Sequence, residues 1–184
     1  MAGFGLRLGR SQGMEGYTGN TNEFLIDPTY ADTIYTGDVV VLNGGYVEEA
    51  SGNTAGAING PILGVFNGCR YIDAEGGYEF RNQWDGGAGR SEIYAMIAMP
   101  PHQNFHAKLS APGSAADVGT RRGLVYAAGS PQYGDSRVLV GAASATGPVV
   151  IQRLANLPGN SWASAQPIVE VSIVAQAATY NDAA

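Results

Sequence analysis

The chain has 184 residues, 45% of them hydrophobic and 14% charged, against about 25% charged in ordinary soluble domains, so it is long enough for one domain with a core and is poor in charge. Its formal net charge of −6 argues against a nucleic-acid groove, which needs a clustered basic face. A single cysteine rules out an internal disulfide framework, and no run approaches the roughly 18 apolar residues of a membrane helix. No secretory n-region and h-region opens the sequence, so the expectation is a protein made in a reducing cytoplasm. The 27 glycines and 9 prolines favour many turns and short strands over long helices.

In chain order, residues 1–33 are glycine-rich and show no sustained period. They predict an extended N-terminal arm, ordered only against something else. Phe4, Leu6 and Leu8 alternate, so the arm is suited to add as a strand to another chain's sheet edge, with Arg7 and Arg10 supplying charge. The glycine spacing there misses the dinucleotide-binding pattern and lacks its strand and helix context. Phe24-Leu25-Ile26 before Asp27-Pro28 is a short apolar anchor and a turn.

The stretch that organises the sequence is residues 35–71. A β-branched run, Asp38-Val39-Val40-Val41-Leu42, ends in Asn43-Gly44-Gly45, and Tyr46-Val47-Glu48-Glu49-Ala50 resumes in extended form, which predicts a hairpin. A small-residue excursion over residues 51–60 leads to the apolar return strand Pro61-Ile62-Leu63-Gly64-Val65-Phe66. Residues 73–77 read as a turn, and residues 78–84 alternate aromatic and polar positions like one strand with a wet face. Further strands are expected over residues 92–99, 105–109, 123–127, 137–141, 149–154 and 168–174, with a small-residue linker over 110–117. Short strands punctuated by turn residues predict an all-β fold, a barrel or a sandwich of jelly-roll or tulip-like form, with at most a turn or two of helix. The expected organisation is the arm over residues 1–33, the β domain over 34–176 and a flexible tail over 177–184.

Charge is unevenly used. Lys108 is the only lysine, and beyond Val138 the charged residues are Arg153, Glu170 and Asp182 alone. An exposed surface normally carries more than that, so this half is expected to be covered by partner subunits rather than merely solvated by Ser, Asn, Gln and Thr.

Candidate chemistry is thin. His102 and His106 lie four apart, but Pro100-Pro101 and the alternation around Phe105 place them on loop and strand, so a polar or interface cluster is favoured over a metal site. Cys69 between strand residues reads as packed and inert. Adjacent carboxylates such as Glu48 and Glu49 point to opposite faces of a strand. Arg121-Arg122 reads as a solvated pair or one half of a link between subunits. No nucleophile, base and stabiliser come together, and the expectation is a protein that is not an enzyme and uses no cofactor or metal.

TGDVVVLNGGYVEEA, a small-residue loop and GPILGVFNGCRY together resemble the β-barrel core of tailed-bacteriophage head decoration (cement) proteins. The resemblance covers residues 35–71; the long β region after Pro112 departs from the smaller members of that group. It implies a structural virion protein, made in the host cytoplasm, that binds the outer surface of an icosahedral phage head and strengthens the shell. Its partners would be the major capsid protein and further copies of itself, a trimer first, with no nucleic acid and no membrane. The candidate assembly contacts are Phe4, Leu6, Arg7, Leu8, Arg10, Arg121, Arg122 and Arg153. The alternatives are another virion component, such as a fibre, spike or tail protein, and a small β-barrel enzyme or carbohydrate-binding module. The last would need Trp84 or Trp162 beside carboxylates.

Overall fold

The computed structural model of the protein describes residues 4–11, 21–50, 56–100 and 103–174, with the backbone alone at residues 10 and 11. The described residues form antiparallel β-sheets with a single 3-10 turn, Ala115–Asp117, which falls inside the predicted small-residue linker. The strands are β1 (Arg7–Ser11), β2 (Asn22–Leu25), β3 (Ile34–Tyr35), β4 (Val39–Asn43), β5 (Tyr46–Glu49), β6 (Gly56–Ile58), β7 (Gly64–Ile72) and β8 (Tyr78–Arg81). They continue with β9 (Gln83–Trp84), β10 (Ser91–Ala98), β11 (Gln103–Lys108), β12 (Arg121–Tyr126), β13 (Leu139–Ala143), β14 (Val149–Leu154) and β15 (Ile168–Ile173). A first sheet runs β1-β11-β15-β14-β12-β13 with β6 beside β12; a second runs β2-β10-β7-β4-β5 with β8 beside β7; β3 and β9 form a small third sheet. None of the three closes into a barrel.

The predicted hairpin of β4 and β5 forms in the register Asn43↔Tyr46. Its two turn residues, Gly44 and Gly45, sit at φ 58° and 89°. Positive φ at both central positions matches the twist of the flanking strands, and only glycine adopts it without strain.

The apolar runs of β4 and the start of β7 have a common cause: this part of the second sheet is buried on both faces. One face, through Val39, Val65 and Ala98, packs with Phe105, Leu124, Ile151 and Val171 of the first sheet. The other, through Val40, Phe66 and Ile97, packs with Ile26, Ile34 and Trp84. Consecutive residues of one strand therefore enter different cores, and polar alternation disappears from the sequence. Each such fully buried aliphatic or Phe side chain contributes about 1.5–3 kcal/mol.

The alternation over residues 78–84 does not give one strand. It breaks at Asn82, whose carbonyl accepts a hydrogen bond from the Thr36 hydroxyl. The break lets Trp84 turn into the second core, where its Nε1 donates to the Tyr30 carbonyl at 3.1 Å and its ring meets Tyr71 edge-on at 6.0 Å. Tyr78 and Phe80, in phase with Trp84 by simple alternation, stay outside, 63% and 68% exposed.

The described parts of the expected arm are built into this same chain. β1 pairs with β11 and β2 with β10. Leu6 is 1% exposed in the first core, and its N–H donates to the Gly37 carbonyl at 2.9 Å. Gly5 passes Ser136 and Gly37 so closely, at φ 67°, that a Cβ there would lie 2.4 Å from that of Ser136. Residues 12–20 and the expected tail over 177–184 fall outside the described residues.

Part of the charge-poor half is covered within the chain, although β13 ends the sheet. β14 and β15 pair with each other and are interior strands of the first sheet, so their edges are used within the chain. β15 is buried on both faces: Val169, Val171 and Ile173 enter the first core, while Glu170 and Ser172 lie under Arg153 and Gln152 on the other side.

Candidate functional site

The residues expected to make assembly contacts do not gather on one free surface. Leu6 is in the core, and Leu8 packs partly against it. Phe4 lies beneath two cations, the Arg7 guanidinium at 5.3 Å and the Lys108 ammonium at 5.0 Å from its ring centre. Arg7 also pairs with Asp135 at 3.1 Å. Arg121 donates through two nitrogens to the Gly147 carbonyl, at 3.0 and 2.8 Å. Arg122 pairs with Asp117 and donates to the Thr120 hydroxyl. Arg153 grips Glu170 with both nitrogens, at 2.7 and 2.8 Å. The side chain of Arg10 lies outside the described residues. These arginines hold turns and neighbouring strands of their own chain, with β1, β12 and β14 as the supporting elements.

The Arg153–Glu170 pair extends to His106, whose Nε2 lies 3.4 Å from Glu170 Oε1. The three sit on adjacent strands β14, β15 and β11, and the arginine's hydrogen bonds, ahead of the histidine's, hold the buried carboxyl below the ordinary glutamate range. His102 falls outside the described residues, so the expected histidine pair is represented by His106 alone. Among the described residues no three His, Cys, Asp or Glu side chains come together to hold a metal ion.

A second titratable cluster was not legible in the sequence. Asp38, at the foot of β4, is fully buried; one carboxyl oxygen accepts the Tyr35 N–H at 2.8 Å and the other has no hydrogen-bond partner among the described residues. Burial pushes its pKa up to about 7, opposed by the Ser136 and Tyr35 hydrogen bonds and reinforced by the buried carboxylate of Glu49. Tyr30, whose hydroxyl accepts the Glu49 N–H at 3.1 Å, is pushed by burial up to about 12, and burial raises the nearby Tyr126 as well. Asp38, Glu49 and Ser136 are all buried, between β4, β5 and the loop at Ser136. Cys69 is likewise buried, its thiol pushed by burial up to about 12 and directed at the Gln83 carbonyl, which leaves it protonated and inert.

Of the tryptophans expected of a sugar site, Trp162 is partly buried against the first core, with Asp117 on the other side of Gly113. Trp84 is buried. A cleft of 660 Å³ is lined by Lys108, Leu157, Asn160, Gln166 and Ile168 among others, none of its lining residues being aromatic or acidic. The Asn160 side chain is occupied with the Ala155 and Ile168 backbone.

The surface that stands out is an overhang of the second sheet. At Gly68, φ 125°, β7 carries a bulge and the register against β10 shifts by one. Cys69 and Tyr71 beyond the bulge still enter the second core, but the opposite face, which packs on the first sheet through Val65, now carries Arg70 and Ile72. No residue of the first core comes from this half of the sheet. The uncovered face is a row across four strands: Phe80 of β8 opposite Arg70, Arg70 opposite Tyr94 of β10, and Tyr94 opposite Leu25 of β2, with Tyr78 opposite Ile72 alongside. Leu25 is 43% exposed. The one charge within the row is neutralised in place: Arg70 lies 4.3 Å from the centre of the Tyr94 ring and makes two 2.8 Å hydrogen bonds to Glu23. The period-two aromatic pattern of residues 78–80 marks this strand in the sequence, but alternation alone cannot say that its aromatic face is the one left in water.

Comparison of the chain with protein-family models, with curated proteins and with solved structures gives no match.

Proposed function

We propose that this chain is a structural virion protein, a decoration protein that binds the outer surface of a tailed-phage head and stabilises the shell. In this reading the first two sheets are the halves of a β-sandwich, and the overhanging face of the second is the surface presented to the major capsid protein. The observation that carries it is the row of exposed Tyr78, Phe80 and Leu25 with half-buried Tyr94 around a neutralised arginine. Contiguous apolar surface rimmed by polar groups marks an interaction site, and tyrosine, phenylalanine and arginine are enriched where protein partners bury each other. The resemblance of residues 35–71 to decoration-protein sequences supports the choice of partner. Repetition supports it too: many copies on one shell sum modest contacts into firm attachment, so a small apolar face suffices. The reading gives the chain no catalytic role, and further copies, as trimers first, would meet around the local symmetry axes of the shell.

Sedimentation tests it. The purified protein mixed with empty heads of the phage that encodes it is expected to co-sediment at a fixed ratio to capsid subunits and to raise the temperature at which the heads fall apart. Protein that stays in the supernatant with intact heads rules the reading out.

A further inference from the structure

The overhang ends in an open edge. β8 hydrogen-bonds β7 on one side, and no strand pairs with its other side among the described residues. Proteins usually blunt such an edge with lysine, proline, a bulge or very short length. The edge strand β5, beyond β4 on the same side of β7, carries two acids and no base. β8 reads Tyr78-Glu79-Phe80-Arg81, with an acid and a base two positions apart and therefore on the same face, flanking an exposed phenylalanine. Glu79 and Arg81 approach at 3.6 Å, both more than two-fifths exposed, a surface pairing of little energetic consequence that water can replace.

Antiparallel pairing of this strand with itself has one register in which every charge is matched. Centred on Phe80, it places Phe80 opposite Phe80 of the second copy, Glu79 opposite the second copy's Arg81, and Arg81 opposite the second copy's Glu79. The two-fold axis makes the two ion pairs equivalent, as an isologous contact requires. Opposite charges and paired aromatics directly across an antiparallel ladder are the favourable cross-strand pairs. The strand is also held ready for a partner. The turn into it is fixed by Asp73, whose Oδ1 accepts the N–H groups of Glu75 and Gly77 at 3.0 and 2.7 Å, so little order has to be imposed on binding.

From this complementarity we propose that β8 is a docking edge for a second copy of the chain, joining two second sheets into one continuous sheet across a two-fold axis. The apolar row then runs unbroken from Leu25 through Phe80 to the same residues of the second copy, doubling the uncovered face. The contact is two-fold, so it is distinct from any three-fold contact on a shell, and it does not depend on shell binding.

Sedimentation equilibrium of the isolated protein over a range of concentrations is the test, with Glu79→Arg and Arg81→Glu compared alone and mixed. The wild type is expected to show a monomer–dimer equilibrium. Each single variant sets like charges opposite each other twice and should weaken self-association about tenfold or more. An equimolar mixture of the two restores both opposite-charge pairs and should recover the dimer, a result that altered monomer stability cannot produce. A wild type that stays monomeric, a trimer indifferent to both substitutions, single variants that dimerise like the wild type, or a mixture that stays monomeric would each overturn the proposal. No shell enters the measurement, so its outcome is separate from that of shell binding.

Discussion

Asp38 and Glu170 are both buried carboxyls, yet their surroundings give them opposite effects on stability as pH changes. Glu170 has the Arg153 guanidinium and His106 against it, so its folded pKa lies below the unfolded one; its stabilisation is present above the unfolded value and is lost as pH falls through the folded value. Asp38 has no cation beside it among the described residues, and burial raises it from 3.8 to about 7. In that interval the folded state binds the proton that the unfolded state has released, so the protection Asp38 gives is complete below pH 3.8 and is lost as pH rises through about 7. Asp38→Asn keeps an acceptor for the Tyr35 N–H without the charge, so it is expected to raise the melting temperature at pH 8 and to change it little at pH 4. Thermal melts of both proteins across that range check this, and equal shifts at the two pH values would refute it. Gly68 offers a backbone test of the bulge that exposes Arg70: a Cβ there would lie 2.8 Å from the Arg81 carbonyl oxygen, at a φ of 125° that side chains avoid. Gly68→Ala should therefore destabilise the fold by about 1–3 kcal/mol in denaturant titrations, against little for Gly60→Ala, where the φ is an ordinary one and the added Cβ would meet nothing within 4 Å.

At the scale of elements, the N-terminal segment carries the clearest prediction. Leu6 is buried among Val39, Val65 and Phe105, and truncating such a side chain costs about 2–5 kcal/mol. Leu6→Ala, and more so deletion of residues 1–11, should lower the melting temperature of the isolated protein; an unchanged transition would mean that β1 contributes nothing to the folded domain. From sequence, the glycines of this segment suggested an arm without a core, because the residues that complete the core around Leu6 come from strands far along the chain. The hairpin of β4 and β5 was legible for the opposite reason: its signal, β-branched runs around Gly44-Gly45, is entirely local. The run of β7 was readable as a strand, but that both its faces are buried depends on where Trp84 and the first sheet come to rest. The break at Asn82 was hidden because alternation describes a strand only while one core claims it. The sparse charge of residues 138–174 was visible, and for two of its three strands there is a cause within the chain: β14 and β15 lie inside a sheet, and Glu170 and Ser172 are roofed by side chains of the same chain.

For the whole molecule, the question is which surface meets a partner, and Arg7, Arg121, Arg122 and Arg153 narrow the answer by being tied into their own chain. What remains uncovered and apolar in one place is the row from Leu25 to Phe80. Because Tyr78 and Phe80 lie on an exposed edge strand, replacing both with serine removes little that the isolated fold depends on; exposed substitutions of this kind shift stability by about 0.5 kcal/mol or less. A partner that desolvates the aromatics loses much more, about 2 kcal/mol or above for each central aromatic removed. The double variant Tyr78→Ser with Phe80→Ser should therefore melt close to the wild type and fail to co-sediment with phage heads. Val118 and Leu157 serve as controls, being 43% and 40% exposed and remote in sequence from the row. If apolar exposure anywhere on the molecule were enough for binding, Val118→Ser and Leu157→Ser would reduce it too; if the overhang is the contact, they leave it unchanged. Co-sedimentation of all three variants at equal concentration, with melting curves alongside, separates the two. Binding that survives the loss of Tyr78 and Phe80 would move the shell-facing surface to another part of the molecule.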